Sequence, residues 1–118
     1  MADRVYTLSF HTPGTLAANQ TITFTTPFDC QLIHVSANGS NANNCIIDIG
    51  YIGALEAYVA NLDCGDSDTP ATVTRTSFVG SQYPHIAAGT KVNIGVDYDG
   101  AGGTAVQNLT IVLTFTEG

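Results

Sequence analysis

Between Lys91 and Gly118 the chain alternates apolar and polar residues twice over. Val92, Ile94, Val96 and Tyr98 alternate with Asn93, Gly95 and Asp97, and later Leu109, Ile111, Leu113 and Phe115 alternate with Thr110, Val112, Thr114 and Thr116. A period of two sends successive side chains to opposite faces, so each run predicts a strand with one buried face. The stretch from Asp99 to Gly103, DGAGG, can adopt the positive φ angles of a tight turn, and the whole stretch therefore predicts a β-hairpin. Val112 is the apolar exception on the otherwise hydroxyl-bearing face.

The same reading extends along the chain. Val5 to Phe10 predicts a first strand with Tyr6, Leu8 and Phe10 on one face, stopped by a turn at His11-Thr12-Pro13-Gly14. A second strand carries Ile22 and Phe24 between threonines and ends at Pro27. In the third, Cys30 to Ala37, the reading places Ile33, Val35 and Ala37 inward and Leu32 and His34 outward. Asn38 to Asn44 is a small polar loop or turn. Cys45, Ile47, Ile49 and Tyr51 follow as an inward set if Asp48 faces out, which leaves Ile46 and Ile52 needing another cover. Ala54 to Leu62 fits a short helix or a strand equally well, Asp63 to Pro70 reads as a loop, Thr72 to Val79 as a strand, and Ala87 to Thr90 as a turn. About eight short strands separated by turn signals, without helix–strand alternation, predict one all-β domain over residues 1–118: an antiparallel β-sandwich or jelly roll.

Charge and cysteine content narrow the function. Only 11% of residues are charged and the formal net charge is −7, so the polar faces consist of hydroxyls and amides that suit packing against protein. The scattered basic residues Arg4, Arg75 and Lys91 make no phosphate-tracking surface or polybasic membrane contact, which argues against nucleic acid and membrane as partners. The charged N-terminal segment containing Asp3 and Arg4 does not read as a signal peptide or anchor. Cys30, Cys45 and Cys64 are odd in number and lack CxxC spacing; buried, inert thiols in a reducing compartment are the preferred reading, with one disulfide plus one free thiol the alternative.

Catalytic and metal chemistry find little support. Asp63, Asp66 and Asp68 are the best metal candidates, because carboxylates at close spacing supply the oxygen ligands calcium prefers, but their spacing is not that of an EF-hand. Asp97, Asp99 and Gly100 read as ordinary turn formers. His11, His34 and His85 form no HxH pair, and His11 and His85 read as loop residues. No serine lies in a GxSxG elbow. The glycosylation sequons at Asn19, Asn38 and Asn108 have no meaning without secretion. A non-enzymatic protein with no cofactor is expected.

The order GTLAANQTITFTTPFDCQLIHVSANGS, CIIDIGYIG, AAGTKVNIGVDYDG and NLTIVLTFTEG resembles the small jelly-roll virion proteins of tailed bacteriophages, among them head decoration (cement) proteins and fibre modules. The resemblance runs from about Gly14 to Gly118 and lies in strands and turns, so it transfers no functional residue. It implies a structural virion protein made in the host cytoplasm, placed on the capsid exterior, bound to the major capsid protein and assembled as a small homo-oligomer, a trimer foremost. A receptor- or glycan-binding fibre module is the alternative. Some cement proteins grip through an N-terminal arm; here only Met1 to Arg4 precede the first strand. Partner contact is therefore expected from Asn38, Asn41, Asn43, Asp66 and Asp68 in the loops and from Thr110, Val112 and Thr114 on the outer strip. A second protomer could also cover Leu32, Ile46, Ile52 and Val112.

Overall fold

Alternation of this kind needs a second apolar layer to close upon, and the computed structural model, which describes residues 4–118, supplies it as two antiparallel sheets. The strands are β1 (Val5–Thr15), β2 (Gln20–Thr25), β3 (Cys30–Asn38), β4 (Ile46–Tyr51), β5 (Ala54–Asp63), β6 (Ala71–Val73), β7 (His85–Ile86), β8 (Lys91–Asp97) and β9 (Gln107–Glu117). One sheet has the order β1-β9-β3-β6, with β7 also on β3, and the other has the order β2-β8-β4-β5. Met1 to Asp3 of the N-terminal segment lie outside the described residues.

The pairings nest. β4 pairs with β5, β3 with β6 and β7, β2 with β8, and β1 with β9. Nesting of this kind is what results when one long antiparallel ribbon folds over and rolls into two layers, the jelly-roll form of a sandwich. The expected all-β sandwich is thus borne out.

That topology overturns the expected hairpin at the C-terminal end. β8 lies between β2 and β4, and β9 lies between β1 and β3, so both edges of each strand are occupied and the two belong to different sheets. The glycine-rich segment between them is a crossover. Gly100 turns there with φ +51°, and the Asn44 carbonyl sits where a Cβ would go, so a side chain at this point meets backbone as well as an unfavourable dihedral.

Other expectations need correction. β3 carries a bulge between Leu32 and His34, which shifts the phase by one residue: Cys30, Leu32, Val35 and Ala37 are buried, while Ile33 joins His34 on the outer face. Leu32 is therefore covered within the chain itself. Ala54 to Leu62 is strand, its pattern made irregular by register shifts against β4. Tyr51 is 39% exposed at the tip of this hairpin, its ring 5.9 Å from that of Tyr58. The alternation slips at Gly50, which is buried because the backbone of Ala54 and Leu55 packs directly on it. Ile52 remains exposed and Ile46 half-buried. Thr72 to Val79 is mostly not strand: the ladder ends at Val73 and two 3₁₀ turns follow, Arg75–Ser77 and Val79–Ser81. The turn at Thr12 to Gly14 is an irregularity inside β1, so His11 is a strand residue, and His85 opens β7.

The core lies between the sheets. Leu109, Ile111, Leu113 and Phe115 of β9 face Ile47, Ile49, Val92, Ile94 and Val96 of the other layer, all of them buried. Phe115 stacks on Tyr6 of its own sheet at 4.9 Å and meets Phe24 of the other layer edge-on at 6.0 Å, a ring contact that ties the layers together.

At the end of the sandwich where β9 finishes, the Arg4 Nε donates to Glu117 Oε1 at 3.0 Å, Arg4 Nη2 pairs with Oε2, and the guanidinium lies 4.5 Å from the Phe28 ring centre. The hydrogen bond from Arg4 holds the Glu117 carboxyl below its ordinary pKa. Because the folded-state value is depressed, the contribution is present above the unfolded pKa and fades as pH falls through the folded one. An NMR titration is expected to place the Glu117 midpoint below the usual glutamate range and to return it there in Arg4→Ala. A midpoint unmoved by that substitution contradicts the pairing.

Candidate interaction surfaces

Antiparallel register brings the loops of Asn38 to Asn44, Asp63 to Thr69 and Asp99 to Val106 to one end of the sandwich, since Asn38 pairs with Thr110 and Ile46 pairs with both Asp63 and Asp97. The asparagines there are largely occupied in building that end. Asn43 is buried; its Oδ1 accepts from the Cys45 N–H at 2.9 Å and its Nδ2 donates to the carbonyls of Asn41 at 3.1 Å and Gly65 at 3.2 Å. Asn41 spans to the strand-to-strand crossover, donating to the Ala105 carbonyl at 3.0 Å and accepting from the Gln107 N–H at 2.9 Å. Asn44 accepts from Thr104 N–H at 3.1 Å. Short amide side chains do this because each carries both donor and acceptor and can replace the ladder where strands diverge.

The acidic residues of this end divide by role. Asp66 is exposed yet its Oδ1 accepts from the Asn43 N–H at 3.1 Å, and Asp68 stands exposed at the loop tip with positive φ. Asp97 accepts from Gly100 N–H at 3.1 Å, the turn-forming role expected of it. Among the described residues no three His, Cys, Asp or Glu side chains converge on one point, Asp63, Asp66 and Asp68 included. A cleft of about 320 Å³ opens between these loops, lined by Asn43, Asn44, Cys45, Asp63, Cys64 and Asp66 with the crossover glycines behind.

The outer face of the five-stranded sheet is the second surface. Thr110, Val112 and Thr114 run down the middle of it, all half-buried, because β9 is flanked on both sides. Val112 lies between Ser9 and Ser36, Thr114 between Thr7 and His34, and Thr110 between His11 and Asn38. Thr110 Oγ1 is 2.8 Å from His11 Nδ1, and the Thr7 and Thr114 hydroxyls are 3.4 Å apart. No Asp, Glu, Lys or Arg stands in these three rows, and His11 and His34 are the titratable residues in them. Sequence reasoning found the β9 row but missed Ser9, Ser36, Ile33 and His34 beside it. The alternation of each strand was visible, whereas the register that sets them side by side was not.

No protein-family model matches the chain, and no curated protein matches it in sequence. Among solved structures it is similar to a chain titled as the cyanophage Pam1 capsid asymmetric unit, at 16% identity and a TM-score of 0.61, covering 99% of this chain and 87% of that one. At that identity the likeness shows a shared fold.

Proposed function

We propose that the chain is a non-enzymatic structural protein of a bacteriophage virion, a decoration (cement) protein on the capsid exterior bound to the major capsid protein. The observation that carries this reading is the fold likeness over 99% of the chain to a component of a phage capsid asymmetric unit. Two features support it: the net charge of −7 suits a surface facing away from packaged nucleic acid, and the β9 strip of Thr110, Val112 and Thr114 carries no ionised side chain, so covering it costs less than covering a charged face. The mechanism is linkage. A protein that binds only the assembled lattice, burying on the order of 1,200–2,000 Å² per specific contact, raises the free energy needed to part the subunits beneath it. The strip and the exposed loop residues Asp66 and Asp68 are the proposed contacts, and a trimer is the proposed assembly.

The test is binding to expanded capsids. Saturable binding at a fixed copy number per lattice position, with capsids more resistant to heat, is the expected result, and Val112→Asp with Thr114→Asp is expected to weaken it at least tenfold. Absence of capsid binding together with retained binding to cells or glycans overturns the reading in favour of a receptor-binding fibre module. Light scattering of the isolated chain reports the oligomer directly.

A further inference from the structure

We propose that Cys45 and Cys64 form a latent disulfide site: a pair of reduced thiols set in register across β4 and β5, which a small disulfide oxidant closes into a covalent staple. Ile46 pairs with Asp63, so the next rung outward sets Cys45 opposite Cys64, and the Cys64 N–H donates to the Cys45 carbonyl at 2.9 Å to extend the ladder by that rung. A hydrogen-bonded antiparallel pair stands about 5.5 Å apart at Cα, inside the ~4.4–6.8 Å window that a disulfide spans. Both side chains point to the buried side, with 1% and 6% exposure, and both are reduced. The cleft of about 320 Å³ described above is lined by both cysteines, which gives a small reagent a route to them.

The two thiols are unequal. The interaction between the two thiols holds Cys64 below the usual thiol range, against burial and Asp66, and together with burial pushes Cys45 up. Cys64, at 6% against 1% the more exposed of the pair where the cleft opens, is the attacking sulfur, and the lower thiol pKa agrees with that. Its thiolate attacks one sulfur of a low-molecular-weight disulfide, breaking that S–S bond and releasing one thiolate. Cys45, losing its proton, then attacks Cys64 Sγ in the mixed disulfide and releases the second thiolate. The two protein thiols are oxidised by two electrons, the reagent is reduced to two thiols, and these take up the two protons. Asp63 and Asp66 at the cleft favour a cationic reagent.

Cys30 is the internal control. It begins β3 at the far end of the sandwich, opposite Glu117, where the Tyr6 hydroxyl meets its sulfur at 3.7 Å and burial raises its pKa. The pair stays open in a reducing compartment and closes in an oxidising medium. This inference stands apart from the capsid reading.

The experiment treats the purified full chain with cystamine, quenches in acid, and counts thiols after denaturation. The expected result is one remaining thiol of three, a monomer lighter by two hydrogens, a peptide joining Cys45 to Cys64, and a Tm higher by about 10 °C. Cys30→Ser is expected to keep the cross-link. Cys45→Ser is expected to stop at a single cystamine adduct on Cys64. Three surviving thiols, a stable adduct on the native pair, a cross-link that involves Cys30, or a cross-linked chain whose Tm is unchanged or lower each overturns the proposal.

Discussion

Phe115→Ala is expected to cost about 3–5 kcal/mol of folding stability, a fall in Tm of roughly 12–20 °C for a chain of this size. Phe115 is fully buried near the end of β9, and its ring is the point at which β1, β9 and β2 meet, stacked on Tyr6 and edge-on to Phe24 from the opposite sheet. Removing it leaves a cavity bordered by two other rings that are held by their own strands, so the site has little room to collapse. Phe115→Leu keeps most of the volume and is expected to cost about half as much. Thermal and urea unfolding check both. A Phe115→Ala loss below about 1 kcal/mol would show that the layers are not joined through this ring.

Asn43→Ala is expected to cost about 2–4 kcal/mol, an unusual penalty for an amide in a loop. The cost arises because the amide, itself buried at the back of the cleft, satisfies the buried Cys45 N–H and two backbone carbonyls. An alanine there leaves a buried donor unpaired, which is worse than losing a bond at the surface. Asn44→Ala is the comparison, since exposed Asn44 gives its Thr104 N–H back to water; its cost is expected to stay under about 1 kcal/mol. Equal losses for the two variants in urea unfolding would contradict the inward-turned loop. The same variant also tests the proposed contacts, because Asn43 shapes the end that presents Asp66 and Asp68.

This loop marks where sequence reading stops. Asn38 to Asn44 reads as small, polar and therefore outside, yet it forms the hydrogen-bonded seam between the β3 end and the crossover into β9. Polarity indicates that a group needs partners; it does not say whether those partners are water or backbone. The bulge in β3 poses the same difficulty. Leu32, Ile33 and Val35 compete for a core that alternation admits only in steps of two, and the extra residue that admits both Leu32 and Val35 depends on the shape of the neighbouring β9. For the candidate strip, Thr110, Val112 and Thr114 were legible because they belong to one strand. Ser9, Ser36 and His34 were not, because they reach it through pairing with partners far away in sequence.

By itself the sequence determined that this protein is made of short strands with one apolar face each, that those strands stack into two antiparallel layers, and that its outer surfaces are poor in charge. Those properties follow from a side-chain period of two and from composition, both local. The tertiary structure alone decided that the two clearest strands, β8 and β9, never pair. Whether a turn closes a hairpin or carries the chain across the core depends on whether its flanking strands still have free edges. Here β2, β4, β1 and β3, all earlier in the chain, had taken them.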